Sequence, residues 1–447
     1  MFSAQTYKSR RDQIVSKVGK GFILITGNEE SPKNYHDNTY SFRQDSNFLY
    51  CCGINKSGLF LGIDCESGKT ILYGEDITID HIVWMGDQPK LRELADLAGI
   101  EDIASLADLE SRLSYLSRKN ESLHYLPPYR ALNRERLKEW LDVETLTPSK
   151  NLIMAMVNTR SYKEEQELAE IEAAVAITRE MHHYVRDHAR PGMLESELYG
   201  VISGMAKKKG GDLAYGVILT VNGQTLHNHY HGNTLASGQL ILGDFGCETP
   251  MNYASDITRT WPVDGVLSSQ QKEIYQIVGD AHSAAVDALA PGRTYRDVHL
   301  LSSLVIATGL KELGLMKGDP AEAVKAGAHA LFFPHGLGHM MGLDVHDMED
   351  LGEDLVGYDE KIKRSDQFGL KSLRLGRELE PGFVLTVEPG VYFIPQLIDQ
   401  WQAEGKHKDF INYPALNDYR DFSGIRLEDN FVITENGSRL LGPEIDK

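Results

Sequence analysis

Apolar and polar positions alternate differently in the two parts of this chain. In the first part, residues 21–26, 58–64 and 70–73 are short runs rich in Ile, Leu and Phe. Such runs suit strands covered on both faces. Residues 91–97 and 106–116 space their leucines at helical intervals, so an α/β domain is predicted over residues 1–157. Beyond it the period becomes helical, with Leu168, Ile171, Val175 and Val185 separated by charges. Ser161 followed by Glu164 has the form of a capping box, and Pro191-Gly192 closes the helix. A second domain is therefore predicted over residues 158–447.

That second domain contains a repeat. A helix ends in Arg190-Pro191-Gly192, and Glu197-Leu198 opens the next; 100 residues on, Ala290-Pro291-Gly292 is followed by Asp297-Val298. Each unit leads to a strand pair. The pattern predicts two helix–helix–hairpin units about a pseudo-twofold axis, with their hairpins facing each other.

Composition narrows the possibilities. The 447 residues carry 46 Lys+Arg against 65 Asp+Glu, a formal net charge of −19. That balance argues against nucleic acid and anionic membranes as partners. No apolar run is long enough to span a bilayer, and four cysteines at irregular spacing suit neither a disulfide scaffold nor a zinc motif. A cytoplasmic protein with reduced thiols is expected.

The chemistry lies in the hairpins. A hairpin of residues 240–244 and 253–260 brings Asp244 near Asp256, and both lie among apolar and β-branched neighbours. In the second unit, residues 384–392 supply Glu388. Residues 425–433 supply Glu428, with Arg426 two positions away on the same strand face. Pro334-His335-Gly-Leu-Gly-His339 and the later His346 add imidazoles. Any one of these groups alone is more often a salt-bridge or core residue. Together, four carboxylates and one histidine without a thiolate suit two hard or borderline divalent cations, which would activate a water for hydrolysis.

The segments Gly243-Asp-Phe-Gly-Cys-Glu248, Ala254-Ser-Asp-Ile-Thr-Arg-Thr260, His335-Gly-Leu-Gly-His339, Leu343-Asp-Val-His-Asp347, Thr386-Val-Glu-Pro-Gly390 and Gly424-Ile-Arg-Leu-Glu428 resemble, in order and spacing, the proline-specific metallopeptidases, the aminopeptidase P and prolidase family. Residues 42–50 and Trp84-Met-Gly86 resemble that family's first domain. The resemblance implies an α+β fold: a pita-bread catalytic domain after an α/β, creatinase-like amino-terminal domain. It implies Asp244, Asp256, His339, Glu388 and Glu428 as ligands of two divalent ions, Mn(II) by preference, with Asp256 and Glu428 bridging. Glu388 would also be the general base, and His346 would act near the scissile carbonyl. His227 would face the proline side, with His229 and His231 left open as alternatives on what reads as one strand face. A three-histidine metal site there is the rival reading.

Arg426 would take part in proton transfer with Asp37 as its partner, and His335 would orient the ligand region. Arg374 would pair with the substrate carboxylate, and Tyr392 and Trp84 would contact substrate. Asp244 and Asp256 lie 12 positions apart, one more than the commonest family spacing, and the extra residue is expected in the turn at 250–252. The implied activity is hydrolysis of the Xaa-Pro bond in proline-containing dipeptides or short peptides, by a homodimer. Prolidase and aminopeptidase P both remain open. A metal-free peptide-binding module and a creatinase-like hydrolase are the alternatives.

Overall fold

The computed structural model describes residues 1–446, which form two compact units: 1–160 with 350–352, and 161–349 with 353–446.

The first unit is built on a five-stranded sheet in the order Asp102–Ala104, Thr70–Tyr73, Phe60–Asp64, Phe22–Thr26 and Leu123–Tyr125. The three inner strands run antiparallel to one another, and the two edge strands pair parallel. Phe22, Leu24 and Phe60 on one face pack against Leu109, Leu113, Leu137 and Trp140 of the helices Leu106–Lys119 and Ala131–Leu141. The four cysteines are free and buried.

The second unit contains the predicted repeat. The helices Glu165–His188 and Glu195–Lys208 correspond to Ser269–Asp287 and Tyr295–Glu312. Their junctions match in detail. Gly192 and Gly292 adopt φ of +92° and +82°, a region where a side chain is strained. Their amides donate to Leu235 O and Leu379 O at 2.8 and 2.9 Å. Leu194 then bridges Thr234, as Thr294 bridges Glu378.

Two local expectations shift. The helix cap lies at Glu164, whose amide donates to Glu167 Oε2 at 3.0 Å, rather than at Ser161. The preceding helix Lys150–Arg160 uses the chain up to that point, and the Lys163 amide is held by Gly382 O at 2.9 Å. The second strand of the first hairpin spans Ile257–Pro262, so Asp256 precedes it. Gly246 lies so close to Ser255 that a Cβ would fall 1.8 Å from its carbonyl oxygen, and the chain detours between them. The detour includes a turn in which the Asn252 amide donates to Thr249 O at 2.8 Å, with Asn252 at φ +65°. Asparagine tolerates that conformation better than most residues. Among the described residues, no helix is long and apolar enough to cross a membrane.

Candidate metal centre and substrate cleft

Each half of the second unit delivers two carboxylates. Asp244 lies in the central strand Leu240–Phe245, opposite Thr258, and Asp256 stands at the start of the neighbouring strand. In the other half, strand pairing is interrupted twice. Val384–Val387 pairs with Asp429–Thr434, and Gly390–Tyr392 pairs with Gly424–Arg426. Glu388 and Glu428 occupy the two interruptions. Pro389, which has no amide hydrogen to give, follows Glu388 and helps break the ladder.

His339 reaches the same place by backbone bonds to Thr386: its amide donates to Oγ1 at 3.2 Å, and its carbonyl accepts from the Thr386 amide at 3.0 Å. A Cβ at Gly338 would fall 2.2 Å from Thr386 O, so a glycine is required before the histidine.

The donor atoms converge in overlapping groups. Asp244, Asp256 and Glu428 offer oxygens within 4.8 Å of one another, as do His339, Glu388 and Glu428 through their ligand atoms; Asp256, His339 and His346 form a third group. Three features fit this set to divalent cations. Glu428 Oε1 is buried without a hydrogen-bond partner, a costly arrangement for a carboxylate oxygen. His339 spends Nδ1 on Met340 O at 3.0 Å, so the lone pair of Nε2 faces Asp256 Oδ2 at 3.3 Å and Glu388 Oε1 at 3.8 Å. The uncompensated charges also distort protonation. Burial, added to the charges of Asp256, Glu388 and Asp244, lifts the Glu428 carboxyl well above its ordinary value. Burial likewise lifts Glu388 to about 7, against the pull of His339 and Arg426. Burial opposes the charged form of His339, yet Asp256 and Glu388 raise it to about 9. A cation between these groups would relieve all three.

Arg426 stands behind the centre. Its guanidinium pairs with Asp244 Oδ2 and donates to Thr258 Oγ1 at 3.1 Å and the Tyr392 hydroxyl at 2.8 Å. Its expected partner Asp37 is exposed in the first unit, where it pairs with His36 at 2.7 Å. Tyr392 is fully buried and outside the cavity wall, because strand alternation turns it toward Arg426 and His335. His335 Nδ1 donates to Gly336 O, and Nε2 accepts from the Tyr392 hydroxyl, both at 2.8 Å.

A cavity of about 550 Å³ opens in front of the carboxylates, and His227, His229, His335, His346, Ser372 and Arg374 line it. The segment carrying His227 is an irregular turn rather than a strand, since His229 and His231 both turn back to Val217 O, at 3.3 and 3.1 Å. His346 Nδ1 lies 3.3 Å from Glu349 Oε2, and Arg374 pairs with the same glutamate. Trp84 lies on the short helix Ile79–Met85 of the first unit and is 84% exposed.

Two contacts escaped the sequence reading. The hydroxyl of half-buried Tyr215 lies 2.6 Å from Asp244 Oδ1 and 2.5 Å from Asp256 Oδ1. Thr258 Oγ1 donates to Glu428 Oε2 at 2.7 Å. Thr258 lies two positions after Asp256, on the same strand face, which is the only signal for it; nothing in the sequence marks Tyr215.

The sequence model of Metallopeptidase family M24 matches residues 169–435, and that of Aminopeptidase P, N-terminal domain, matches residues 7–125. Human Xaa-Pro dipeptidase is 32% identical over 433 residues, covering 94% of this chain and 85% of that protein. Among solved structures, proline aminopeptidase P II from Yersinia pestis superposes with a TM-score of 0.83 at 28% identity, covering 100% of this chain and 97% of that one. A zinc-substituted E. coli aminopeptidase P in complex with product superposes with a TM-score of 0.81 at 27% identity, covering 100% and 96%.

Proposed function

The chain belongs to metallopeptidase family M24, and from that premise we propose that it is a dinuclear-metal exopeptidase that cleaves the bond between an amino-terminal residue and a following proline, with Xaa-Pro dipeptides preferred. It has an α+β fold, a pita-bread catalytic domain after an aminopeptidase P-type first domain. It binds divalent metal. One observation carries the reading: four carboxylates from two structurally matching halves, three of them buried and Glu388 partly so, meet one histidine, and Glu428 belongs to two of the three ligand groups with one oxygen unpartnered.

Asp244, Asp256, His339, Glu388 and Glu428 would hold two divalent ions, with Asp256 and Glu428 offering oxygens to both. Mn(II) suits four carboxylates and one imidazole. When bound, the pair of cations polarises the scissile carbonyl and lowers the pKa of the attacking water. Glu388 would accept and return a proton beside the attacking water. As the imidazolium, His346 would donate from Nδ1 to Glu349 and from Nε2 to the carbonyl oxygen as negative charge develops there. His335, its tautomer set by Gly336 and Tyr392, and His227 form the proline side of the cleft. Arg426 fixes Asp244 and ties it to Tyr392 and Thr258, with Asp37 kept as its proposed partner in proton transfer. Tyr392 thus acts through Arg426 and His335, not on substrate.

Arg374, half-exposed on the wall, offers its fork to a proline carboxylate, which favours dipeptides over longer chains. Proline has no amide hydrogen and restricts the residue before it, so the bond calls for a dedicated pocket. The enzyme is cytoplasmic and dimeric in this reading, and the exposed Trp84 is a contact offered to a second copy. A panel of Xaa-Pro and Xaa-Pro-Yaa peptides with Mn(II) tests the preference. Faster cleavage of dipeptides supports it; cleavage of tripeptides without dipeptides reassigns the chain to aminopeptidase P specificity.

A further inference from the structure

His346 and Arg374 reach the cleft from separate stretches of chain and meet on one atom. Glu349 Oε2 lies 3.3 Å from His346 Nδ1 and also accepts from Arg374 Nη1, whereas the second carboxylate near Arg374, Glu353, is 3.6 Å away. The Glu349 side chain is 16% exposed and stands behind the cavity wall that His346 and Arg374 form.

The backbone is bent to put it there. Met348 has φ of +64°, a conformation that a bulky residue adopts only where its surroundings enforce it. Before this bend, Asp347 turns inward to Lys163 at 2.8 Å, in an ion pair almost fully out of solvent. After it, Glu349 doubles back, its amide donating to His346 O at 3.4 Å while its carboxylate takes the imidazole. Strain of this kind concentrates at functional loops, and here it brings a carboxylate to the two cavity groups assigned to opposite ends of a dipeptide's proline residue.

We propose that Glu349 is a positioning residue that yokes carboxylate recognition at Arg374 to the setting of His346 at the scissile carbonyl. The inference rests on the roles given to those two side chains above. With Nη1 committed to Glu349, the rest of the Arg374 fork is already oriented when a substrate carboxylate arrives. The same oxygen holds the imidazole by Nδ1, so Nε2 faces the cleft. A free dipeptide meets two preset groups; a substrate without the carboxylate uses only one.

Alanyl-proline and its C-terminal amide differ only at that carboxylate, and both are assayed with the Mn(II)-loaded, full-length enzyme. In Glu349→Ala, kcat falls about 10-fold on both substrates as His346 loses its anchor, and KM rises about 10-fold on the free dipeptide alone as Arg374 loosens. Glu349→Gln, which keeps one acceptor oxygen, moves both constants in the same directions by less, and serves if the alanine variant does not fold. Equal changes in KM on both substrates, or an unchanged kcat, overturn the yoke. Wild-type enzyme that cleaves neither compound contradicts the peptidase reading, and the inference falls with it.

Discussion

Thr258 holds Glu428 twice: its hydroxyl donates to Oε2 at 2.7 Å, and its carbonyl accepts from the Glu428 amide at 3.0 Å. These bonds join the two halves of the repeat at the centre of the ligand set, since Thr258 belongs to the first hairpin and Glu428 to the second. Thr258→Val keeps the shape and removes the hydroxyl, which leaves Oε2 without its donor. Metal affinity measured by titration calorimetry is expected to fall about 10-fold, while Thr258→Ser stays near wild type.

Tyr215 bridges Asp244 and Asp256 with a single hydroxyl, which has one proton to give. In metal-free protein, Tyr215→Phe removes that donor from two buried carboxylates and costs about 1–3 kcal/mol. Bound cations compensate the same oxygens, so the loss in the metal-loaded protein is smaller. Chemical denaturation with and without Mn(II) measures the difference, and an equal loss in both states contradicts it.

The pH dependence of the metal-free protein has two limbs. Burial and neighbouring carboxylates raise Glu388 to about 7, and Asp256 and Glu388 raise His339 to about 9 against burial. A group with a raised folded pKa contributes its stability below its unfolded value and loses it as pH passes the folded value. For Glu388 that window is 4.5 to about 7; for His339 it is 6.5 to about 9. Burial depresses His182, His299 and His335 to about 3 and His329 to about 4, so they act oppositely, removing stability as pH falls below 6.5. Melting temperature of the metal-free protein should therefore peak near neutrality and fall toward pH 9. Added Mn(II) replaces the protons on both groups and flattens the alkaline limb most, where His339 titrates.

The Lys163–Asp347 pair ties the beginning of the second unit to the loop that carries His346. Its side chains are 2% and 1% exposed, so neither charge is screened by water. Lys163→Met strands a buried carboxylate and should cost about 3–5 kcal/mol in denaturant unfolding. Replacing both members with Met and Leu should recover most of that stability. Because Asp347 is next to His346, the double variant should nevertheless keep a reduced kcat.

Much of this was legible in the sequence because it is periodic or locally encoded. The Pro-Gly helix stops at 191–192 and 291–292 mark the repeat, since only a terminating conformation explains them in both copies. The four candidate carboxylates stand out as acidic groups in otherwise apolar or β-branched runs, and His339 by the glycine-rich segment that carries it. What escaped depends on long-range packing. Ser161 carries a cap signature, but the helix starts at Glu164 because Lys163 is drawn off to Gly382 and Asp347. His227, His229 and His231 alternate as a strand would, yet the Val217 carbonyl takes two of them. Tyr215 and Glu349 have no spacing signal at all; only the folded chain brings them to the carboxylates and to the substrate wall.

The central claim is that five side chains from the two half-units hold two catalytic cations. Metal content of purified protein reconstituted with Mn(II), read beside alanyl-proline hydrolysis in wild type and Glu428→Ala, tests it most directly. The account predicts two equivalents per chain in the wild type, with fewer in the variant and its hydrolysis abolished. A wild-type chain that takes up no divalent metal, or a Glu428→Ala variant that hydrolyses the dipeptide at the wild-type rate, contradicts it.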